Sequence, residues 1–255
     1  MKYDLTDTTF LIIIRLDTIE RLENMQASIS CLLKHFDTNI KVWESSCRYN
    51  GLLKKLLDKR VDYTFVQDDD PILFRTMYIN RMTEEVKTHY VSIWDADVIA
   101  PYQQVLDSVN ILRNGKVDFV YPYETLFLDT TSVIRNLFLN NRNNLKILMR
   151  NQKRMSVMYP PNPVGGAFFC NVESYRKSGL ENEDFYGWGV EDGERFVRWQ
   201  KRGFEIRRVK GPLFHLSHPR GINSLLQHPD QSLIKTKLLN LINNEIDNCP
   251  YSPNF

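Results

Sequence analysis

Short apolar runs alternate with segments of helical period through the first half of the chain. The run from Phe10 to Ile14 is rich in β-branched residues and lacks polar alternation, a pattern typical of a strand buried on both faces. Similar runs lie at residues 39–43, 61–66, 90–94 and 117–121, and helical spacing occurs at residues 19–36, 51–59, 74–86 and 101–112. Strands that alternate with helices predict an α/β domain with a mostly parallel sheet flanked by helices.

The composition is that of one globular protein with a sizeable core. The 255 residues are 42% hydrophobic and 25% charged, which excludes a disordered, collagen-like or coiled-coil chain. The formal net charge of +2 indicates no general basic surface for nucleic acid. No apolar run approaches the roughly 20 residues that cross a bilayer, the first residues lack a secretory pattern, and no Cys-x-x-Cys pair occurs. We therefore expect a cytoplasmic protein with free thiols.

Two carboxylates follow one of the predicted buried strands directly. Asp95 and Asp97 come after the run at residues 90–94, and ligands of parallel α/β sheets bind beyond the carboxyl ends of the strands. Two carboxylates two residues apart can hold a divalent cation and a ribose hydroxyl, and Mg²⁺ and Mn²⁺ take oxygen ligands while bridging to phosphates. We predict a metal or nucleotide role for this pair.

Other acidic residues near strand ends give weaker signals. Glu44 follows the run at residues 39–43, where it could accept a hydrogen bond from a nucleotide or be a solvated acid. The three acids at residues 68–70 precede Pro71 and are typical of a solvated turn.

A His-x-x-His pair lies in the last part of the chain. His215 and His218 follow a strand-like segment at residues 205–209. Imidazole suits Mn²⁺ and Zn²⁺, so the pair could chelate a metal, and the alternative is two ordinary structural histidines.

An aromatic residue between two glycines precedes a cluster of acids. The glycines that flank Trp188 let the backbone turn sharply and present a flat ring on which a sugar can stack. Glu191 and Asp192 follow at once and could supply a general base. Their alternative role is to favour the first turn of the helix predicted at residues 195–202. We interpret the segment as a general base beside a sugar-binding platform.

Residues 130–172 contain no acid, although they carry six basic side chains. This stretch is either a solvated helical insertion or a basic face towards an anionic lipid surface or a phosphate-bearing acceptor. Near its end, Gly165 and Gly166 form a tight turn or allow a ligand to approach the backbone closely.

Together these motifs resemble GT-A fold glycosyltransferases, above all the β-1,4-galactosyltransferase family and the galactosyltransferase domains of bacterial polysaccharide synthases. The resemblance covers residues 10–220 and implies a single GT-A domain with a central, mostly parallel sheet flanked by helices. Its expected parts are a nucleotide-binding half (1–125), a basic helical insertion (126–163), an acceptor and catalytic half (164–221), and a C-terminal helix and tail (222–255).

The resemblance also implies roles for nucleotide-binding and metal-binding residues. Arg15 and Arg75 would contact the nucleotide, although Ile14 replaces the usual proline before Arg15, and Asp95 would face the ribose. The ligands of Mn²⁺ (or Mg²⁺) would be Asp97, His215 and His218. The family has a methionine at the position of His215. A borderline imidazole ligand therefore replaces a soft thioether, and we expect the preference for Mn²⁺ over other divalent ions to weaken.

On the sugar side, the resemblance implies that Asp192 is the catalytic base. Glu191 would bind the donor or acceptor sugar beside Trp188, and Gly165, Gly166 and Gly189 would also belong to the substrate-binding site. Val190 replaces a family glycine and Gly193 replaces an acid, departures that bear on the acceptor more than on the reaction.

The expected function is therefore metal-dependent, inverting transfer of galactose or N-acetylgalactosamine from a UDP-sugar to a saccharide hydroxyl. The expectation places this reaction in bacterial surface polysaccharide or glycolipid synthesis, with a lipid-linked acceptor and a peripheral contact between the basic stretch and the inner membrane face. Three alternatives stay open: a retaining GT-A transferase, a sugar nucleotidyltransferase, and a non-catalytic carbohydrate-binding module.

Overall fold

The alternation of strands and helices is present in the computed structural model, which describes residues 2–159, 162–221 and 223. The strands are β1 (Tyr3–Ile14), β2 (Phe36–Ser46), β3 (Val61–Gln67), β4 (Tyr90–Trp94), β5 (Val98–Ile99), β6 (Phe119–Tyr121), β7 (Phe127–Asp129), β8 (Ser156–Val157), β9 (Ala167–Asn171), β10 (Ile206–Arg208) and β11 (Leu213–His215). The helices are α1 (Ile19–His35), α2 (Leu52–Leu56), α3 (Arg75–Glu84), α4 (Tyr102–Arg113), α5 (Ser132–Asn140), α6 (Leu145–Arg150), α7 (Val172–Lys177) and α8 (Glu191–Lys201), with a 3₁₀ turn at Gln152–Arg154. The predicted C-terminal helix and tail lie outside the described residues, apart from Asn223.

The described strands form a central sheet of seven in the order β10-β6-β9-β4-β1-β2-β3. All neighbours in it are parallel except β9, which runs antiparallel to β4 and β6. A second sheet has the order β5-β11-β7-β8. The predicted α/β class with a mostly parallel sheet is therefore confirmed, and the second sheet is an addition to it.

The centre of the core is β1. Phe10, Leu11, Ile12 and Ile14 are all nearly inaccessible to solvent, as expected for a central strand covered by helices on both faces. The ring of Phe10 packs edge-on against Trp94 on the neighbouring β4. Burial of such side chains is the main favourable term in folding, so this strand fixes the position of its neighbours.

Strand pairing determines which residues meet at the carboxyl edge of the central sheet. β4 pairs with β9 so that Trp94 lies opposite Ala167, and the N–H of Asp95 donates to the carbonyl of Gly166 at 2.9 Å. In the second sheet Val98 of β5 lies opposite His215 of β11. The two pairings bring Asp95 and Asp97, the acids predicted to have a metal or nucleotide role, next to the glycine pair and the histidine pair.

Residues 132–157 of the basic stretch form α5, α6 and β8. Buried side chains of α5 and α6 share a second apolar cluster with Ala27 of α1, Ile99 of β5 and Phe214 of β11. Helices therefore occur within residues 126–163, and their assignment as an insertion stays a prediction. No helix in the described part of the chain combines the length and apolar character needed to cross a membrane.

Candidate active site

Asp97, His215 and His218 converge beside the second sheet. The Nε2 atoms of His215 and His218 lie 3.7 and 3.1 Å from Asp97 Oδ2. One carboxylate oxygen of Asp97 and one ring nitrogen of each histidine all lie within 4.8 Å of one another. The three residues predicted to share one ion are thus close enough to do so, although more than 100 residues separate the acid from the histidines.

Each imidazole is held in place through Nδ1, the ring nitrogen that does not face Asp97. His215 Nδ1 lies 2.8 Å from Asp129 Oδ1, and His218 Nδ1 lies 2.8 Å from the carbonyl oxygen of Pro219. Such acceptors fix the orientation of a metal-binding ring and leave Nε2 as the ligand atom. Sequence reasoning missed Asp129, although it ends a short apolar run, the same signal that identified Asp95.

The charges in this cluster reinforce one another. Burial would raise the pKa of Asp97, but His215 and His218 outweigh it and hold that pKa well below its usual range. Burial would lower the pKa of His215, but Asp97 and Asp129 outweigh it and raise that pKa to about 9. The cluster therefore favours a bound positive charge. One carboxylate and two imidazoles suit Mn²⁺ or Zn²⁺ better than Mg²⁺, which prefers oxygen ligands alone.

Asp95 lies beside Arg75 at the start of α3. Arg75 Nη2 donates to Asp95 Oδ1 at 2.6 Å. Burial raises the pKa of Asp95, and Arg75 offsets this only in part. The other terminal nitrogen of Arg75, Nη1, is buried and has no hydrogen-bond partner among the described residues. A buried donor without an acceptor is costly, so this nitrogen fits the predicted contact with a nucleotide.

The glycine pair connects Asp95 to Asp192. A β-carbon at Gly165 would lie 2.7 Å from Asp192 Oδ2, and one at Gly166 would lie 2.8 Å from the side chains of Phe127 and Leu213. Only glycine allows this approach, and Gly166 also has a φ of 82°. The two residues therefore place the Asp192 carboxylate close to the backbone that carries Asp95.

Asp192 is held by a buried arginine one turn further along α8. Arg195 Nη2 donates to Asp192 Oδ1 at 2.6 Å, and Nη1 donates to Glu181 Oε2 at 2.8 Å. The side chains of Arg195 and Glu181 are each only 1% exposed, and the guanidinium lies over the ring of Phe168. Sequence reasoning missed this pair because nothing in the local pattern distinguishes Arg195 from a surface arginine.

Glu191 is buried at the first position of α8. Burial and the neighbouring Asp192 raise the pKa of Glu191 to about 7, and Arg75 offsets them in part. Its Oε2 has no hydrogen-bond partner among the described residues. A carboxyl group of this kind can donate or accept a hydrogen bond near neutral pH, which suits contact with a sugar hydroxyl.

The backbone before α8 turns through unusual conformations. Trp188 is exposed, and Gly189 has a φ of 106°. Val190, which caps the helix, has a φ of 63°, in the left-handed region that β-branched residues rarely adopt. The predicted platform is thus an exposed ring on a turn that carries strain at Val190.

Arg15 is bound at the other end of the site. Its guanidinium donates to the side chains of Ser45 and Asp68 and to the carbonyl of Asp70. The prediction of a solvated turn at residues 68–70 is wrong for Asp68, whose side chain is only 15% exposed because it also accepts from Tyr78. The carboxylate of Asp70 accepts from Tyr186, which ties this turn to the Trp188 segment.

Glu44 is buried, with 3% of its surface exposed, so the alternative of a solvated acid is wrong. The hydroxyl of Tyr63 donates to Glu44 Oε2 at 2.5 Å. A nucleotide contact by Glu44 stays a prediction.

Comparisons with known proteins point to one class. A family model described as the N-terminal domain of galactosyltransferase matches residues 149–220. The structure is similar to the catalytic domain of Drosophila β1,4-galactosyltransferase 7 in complex with xylobiose, with a TM-score of 0.58 and 16% identity over 90% of this chain and 79% of that chain. A mutant of that enzyme in complex with manganese, UDP-Gal and xylobiose gives a TM-score of 0.56 and 16% identity over 89% and 79%.

A third similar structure is a mannosyltransferase from Pyrobaculum calidifontis in complex with GDP-Man and Mn²⁺. Its TM-score is 0.54, with 11% identity over 97% of this chain and 66% of that chain. No curated protein matches the chain in sequence.

The fold and the segment that the family model matches together indicate a glycosyltransferase with the GT-A fold. The resemblance to galactosyltransferases that the motifs predicted is confirmed. The matched segment contains Asp192, His215 and His218, whereas Asp95 and Asp97 precede it.

Proposed function

We propose that the chain transfers galactose or N-acetylgalactosamine from a UDP-sugar to a saccharide hydroxyl, with inversion at the anomeric carbon. The observation that carries this proposal is the arrangement at one edge of the sheet. The cluster of Asp97, His215 and His218 lies next to Asp95, and the Gly165–Gly166 pair joins Asp95 to Asp192. A cation-binding cluster and a separate carboxylate are what transfer from a nucleotide diphosphate sugar needs.

The residues that would hold the divalent cation are Asp97, His215 and His218. Their donor atoms converge, and the second nitrogen of each ring is already occupied. When bound, the cation would offset the negative charge on the departing diphosphate. We propose Mn²⁺ because two imidazoles disfavour Mg²⁺, and because the similar Drosophila and Pyrobaculum structures contain manganese.

On the donor side, we propose that Arg75 contacts the nucleotide through its unsatisfied Nη1 and that Asp95 faces the ribose. Arg15 would complete this side, with its guanidinium fixed by Asp68. UDP-galactose is a reasonable first donor because the similar Drosophila structure contains UDP-Gal.

Asp192 would act as the general base. Its Oδ1 is bound to Arg195, so Oδ2 would take the proton from the acceptor hydroxyl. The acceptor oxygen then forms the new bond to the anomeric carbon from the opposite face, and the bond to the diphosphate breaks with its electron pair leaving on UDP. General-base catalysis typically contributes about 10²–10⁴-fold to such a rate. Glu191 and Trp188 would bind the sugars.

The test is UDP release from a panel of nucleotide sugars with Mn²⁺ or Mg²⁺, with and without saccharide acceptors. We expect release that needs the cation and rises with an acceptor. Asp192→Asn should lose turnover by about 10²-fold or more while keeping its affinity for UDP. Asp184→Asn, an exposed carboxylate in the preceding loop, is the matched control and should be fully active.

Four outcomes would contradict the proposal. Product NMR that shows retention would assign the chain to the retaining class, and release of pyrophosphate instead of UDP would indicate a nucleotidyltransferase. Calorimetry that shows sugar binding independent of Mn²⁺, together with an absence of turnover, would indicate a carbohydrate-binding module. Normal turnover by Asp192→Asn would exclude Asp192 as the base.

We further propose that the reaction belongs to bacterial surface polysaccharide or glycolipid synthesis and takes place at the cytoplasmic face of the inner membrane. The basic stretch beside the acceptor half supports this setting. This setting can be tested with two acceptors that carry the same saccharide, one free and one linked to a lipid. We expect the lipid-linked acceptor to give the higher kcat/KM. Equal values would contradict the proposed setting.

A further inference from the structure

The basic stretch leaves most of its cations exposed. Arg135 is the exception, since it is buried and bound to Glu23 and Asn24. The others are Arg142, Lys146, Arg150, Lys153 and Arg154; we call these five residues the basic face. Within the described part of the chain, none of them forms a salt bridge to an acid. Lys146 and Arg150 are four residues apart on α6, so they lie on one side of that helix.

Large apolar side chains are exposed on the same insertion. Val133 and Leu137, one turn apart on α5, are 66% and 48% exposed, and Met149 and Val157 are 40% and 55% exposed. Exposed aliphatic side chains among uncompensated cations are typical of surfaces that lie in a membrane interface. A nucleic-acid surface would need the cations alone, because phosphate contacts dominate its affinity.

An apolar cavity of about 270 Å³ opens beside the basic face. It lies between the end of α1, the start of α4 and the start of α6. Its apolar lining includes Leu32, Phe36, Trp94, Ile99, Leu145 and Met149. Lys34 and Lys146, both exposed residues, belong to the same lining. An apolar space bordered by two cations matches an acyl chain below an anionic headgroup.

We propose that the basic face docks on an anionic lipid bilayer and that the cavity accepts part of an acyl chain. Each Lys or Arg near an anionic surface adds attraction that decays within a Debye length, and the apolar side chains add the hydrophobic part. β8, at the end of this insertion, pairs with β7, whose Asp129 holds His215. Docking here therefore orients the candidate active site relative to the bilayer.

The first experiment is co-sedimentation of the full chain with vesicles of phosphatidylglycerol and phosphatidylcholine, or of phosphatidylcholine alone. We expect binding to the anionic vesicles only, and weaker binding at high salt. The charge reversals Lys146→Glu, Arg150→Glu and Lys153→Glu, combined, should weaken binding by about 100-fold. The control is the combined charge reversal of three exposed lysines on other parts of the surface, namely Lys116, Lys177 and Lys210. It changes the net charge equally, and we expect the affinity for anionic vesicles to change by less than about threefold.

The second experiment tests the cavity. Phosphatidylglycerol with brominated acyl chains should quench the fluorescence of Trp94, which lines the cavity. Trp94→Phe should remove the quenched component while vesicle binding remains. Quenching that is identical in both proteins would overturn the acyl-chain assignment.

Equal binding to neutral vesicles, no binding to anionic vesicles, or equal losses in the two triple variants would overturn the docking proposal. Displacement of bound vesicles by duplex DNA at comparable phosphate concentration would assign the face to nucleic acid instead. Vesicle binding is measured without any donor sugar, so these outcomes do not depend on the proposed transferase activity.

Discussion

The Asp192 carboxylate lies directly against the backbone of Gly165, where a β-carbon would be 2.7 Å from Asp192 Oδ2. Real β-carbons essentially never approach another atom this closely. The carbonyl of Gly165 accepts from the hydroxyl of Tyr123 at 2.6 Å, so this backbone is itself held in place. Any side chain at Gly165 must therefore move the carboxylate rather than the glycine.

We predict that Gly165→Ala lowers kcat by about 10²-fold, because a shift of about 1 Å in a reacting group costs about that much. The free energy of unfolding should change little. Steady-state kinetics and urea unfolding measure the two quantities.

Gly193→Ala is the matched control for this substitution. Gly193 lies one residue from Asp192, and a β-carbon there meets nothing within 4 Å. This variant should keep full activity and gain up to about 1 kcal/mol of stability, because alanine favours a helix over glycine. Unchanged kcat in Gly165→Ala would show that the carboxylate position does not limit the reaction.

Asp129 should control metal affinity without touching the ion. Its Oδ1 holds His215 Nδ1 at 2.8 Å, and loss of such a partner typically weakens metal binding by about 10–100-fold. We predict this loss for Asp129→Asn in a Mn²⁺ titration followed by calorimetry. Asp107→Asn, a partly exposed acid on α4 whose carboxylate accepts only from Gln103 in the described structure, should bind Mn²⁺ normally. Equal affinity in both variants would mean that the His215 ring needs no support.

Much of the fold was predictable because its signals are local. The buried run of β1 and the run of β4 are long enough to show a pattern, and the helix of α1 repeats its apolar residues at regular spacing. The second sheet was not predictable, since β5 has two residues and β11 has three. Strands this short show no periodicity.

The site was predictable where residue type alone carries the chemistry. Asp97, His215 and His218 are recognisable ligands, but their meeting depends on the pairing of β5 with β11, which the sequence does not show. Arg195 was not predictable for a similar reason. Its role depends on Glu181, which lies 14 residues away and becomes its partner only when both are buried.

Val190 offers a test of strain in the turn before α8. A left-handed backbone costs a non-glycine residue about 1–2 kcal/mol, and Val190 has a φ of 63°. We predict that Val190→Gly raises the free energy of unfolding by about 1 kcal/mol, after the entropic cost of glycine is subtracted. Val190→Ala keeps the strain and should give no gain. If urea unfolding shows that glycine destabilises the protein more than alanine does, the strain is not significant.

Glu191 should make stability fall as the pH rises towards neutrality. Its pKa is raised from an ordinary value of 4.5 to about 7 by burial and by Asp192. Between these two pH values the folded chain retains a proton that the unfolded chain has released, so the stability present at low pH decreases through this window and is constant above about 7. The loss is at most about 3 kcal/mol.

Glu191→Gln isolates this contribution, because an amide stays neutral throughout. The variant should match the wild-type free energy of unfolding near pH 4.5 and exceed it at pH 8, when urea unfolding is measured without metal or nucleotide. Glu205→Gln, at an exposed position, controls for loss of a negative charge and should follow the wild type at both pH values. If Glu191→Gln is less stable than the wild type at pH 8, the site stabilises the ionised form of Glu191. In that case Arg75 fully compensates the cost of burying the Glu191 carboxylate.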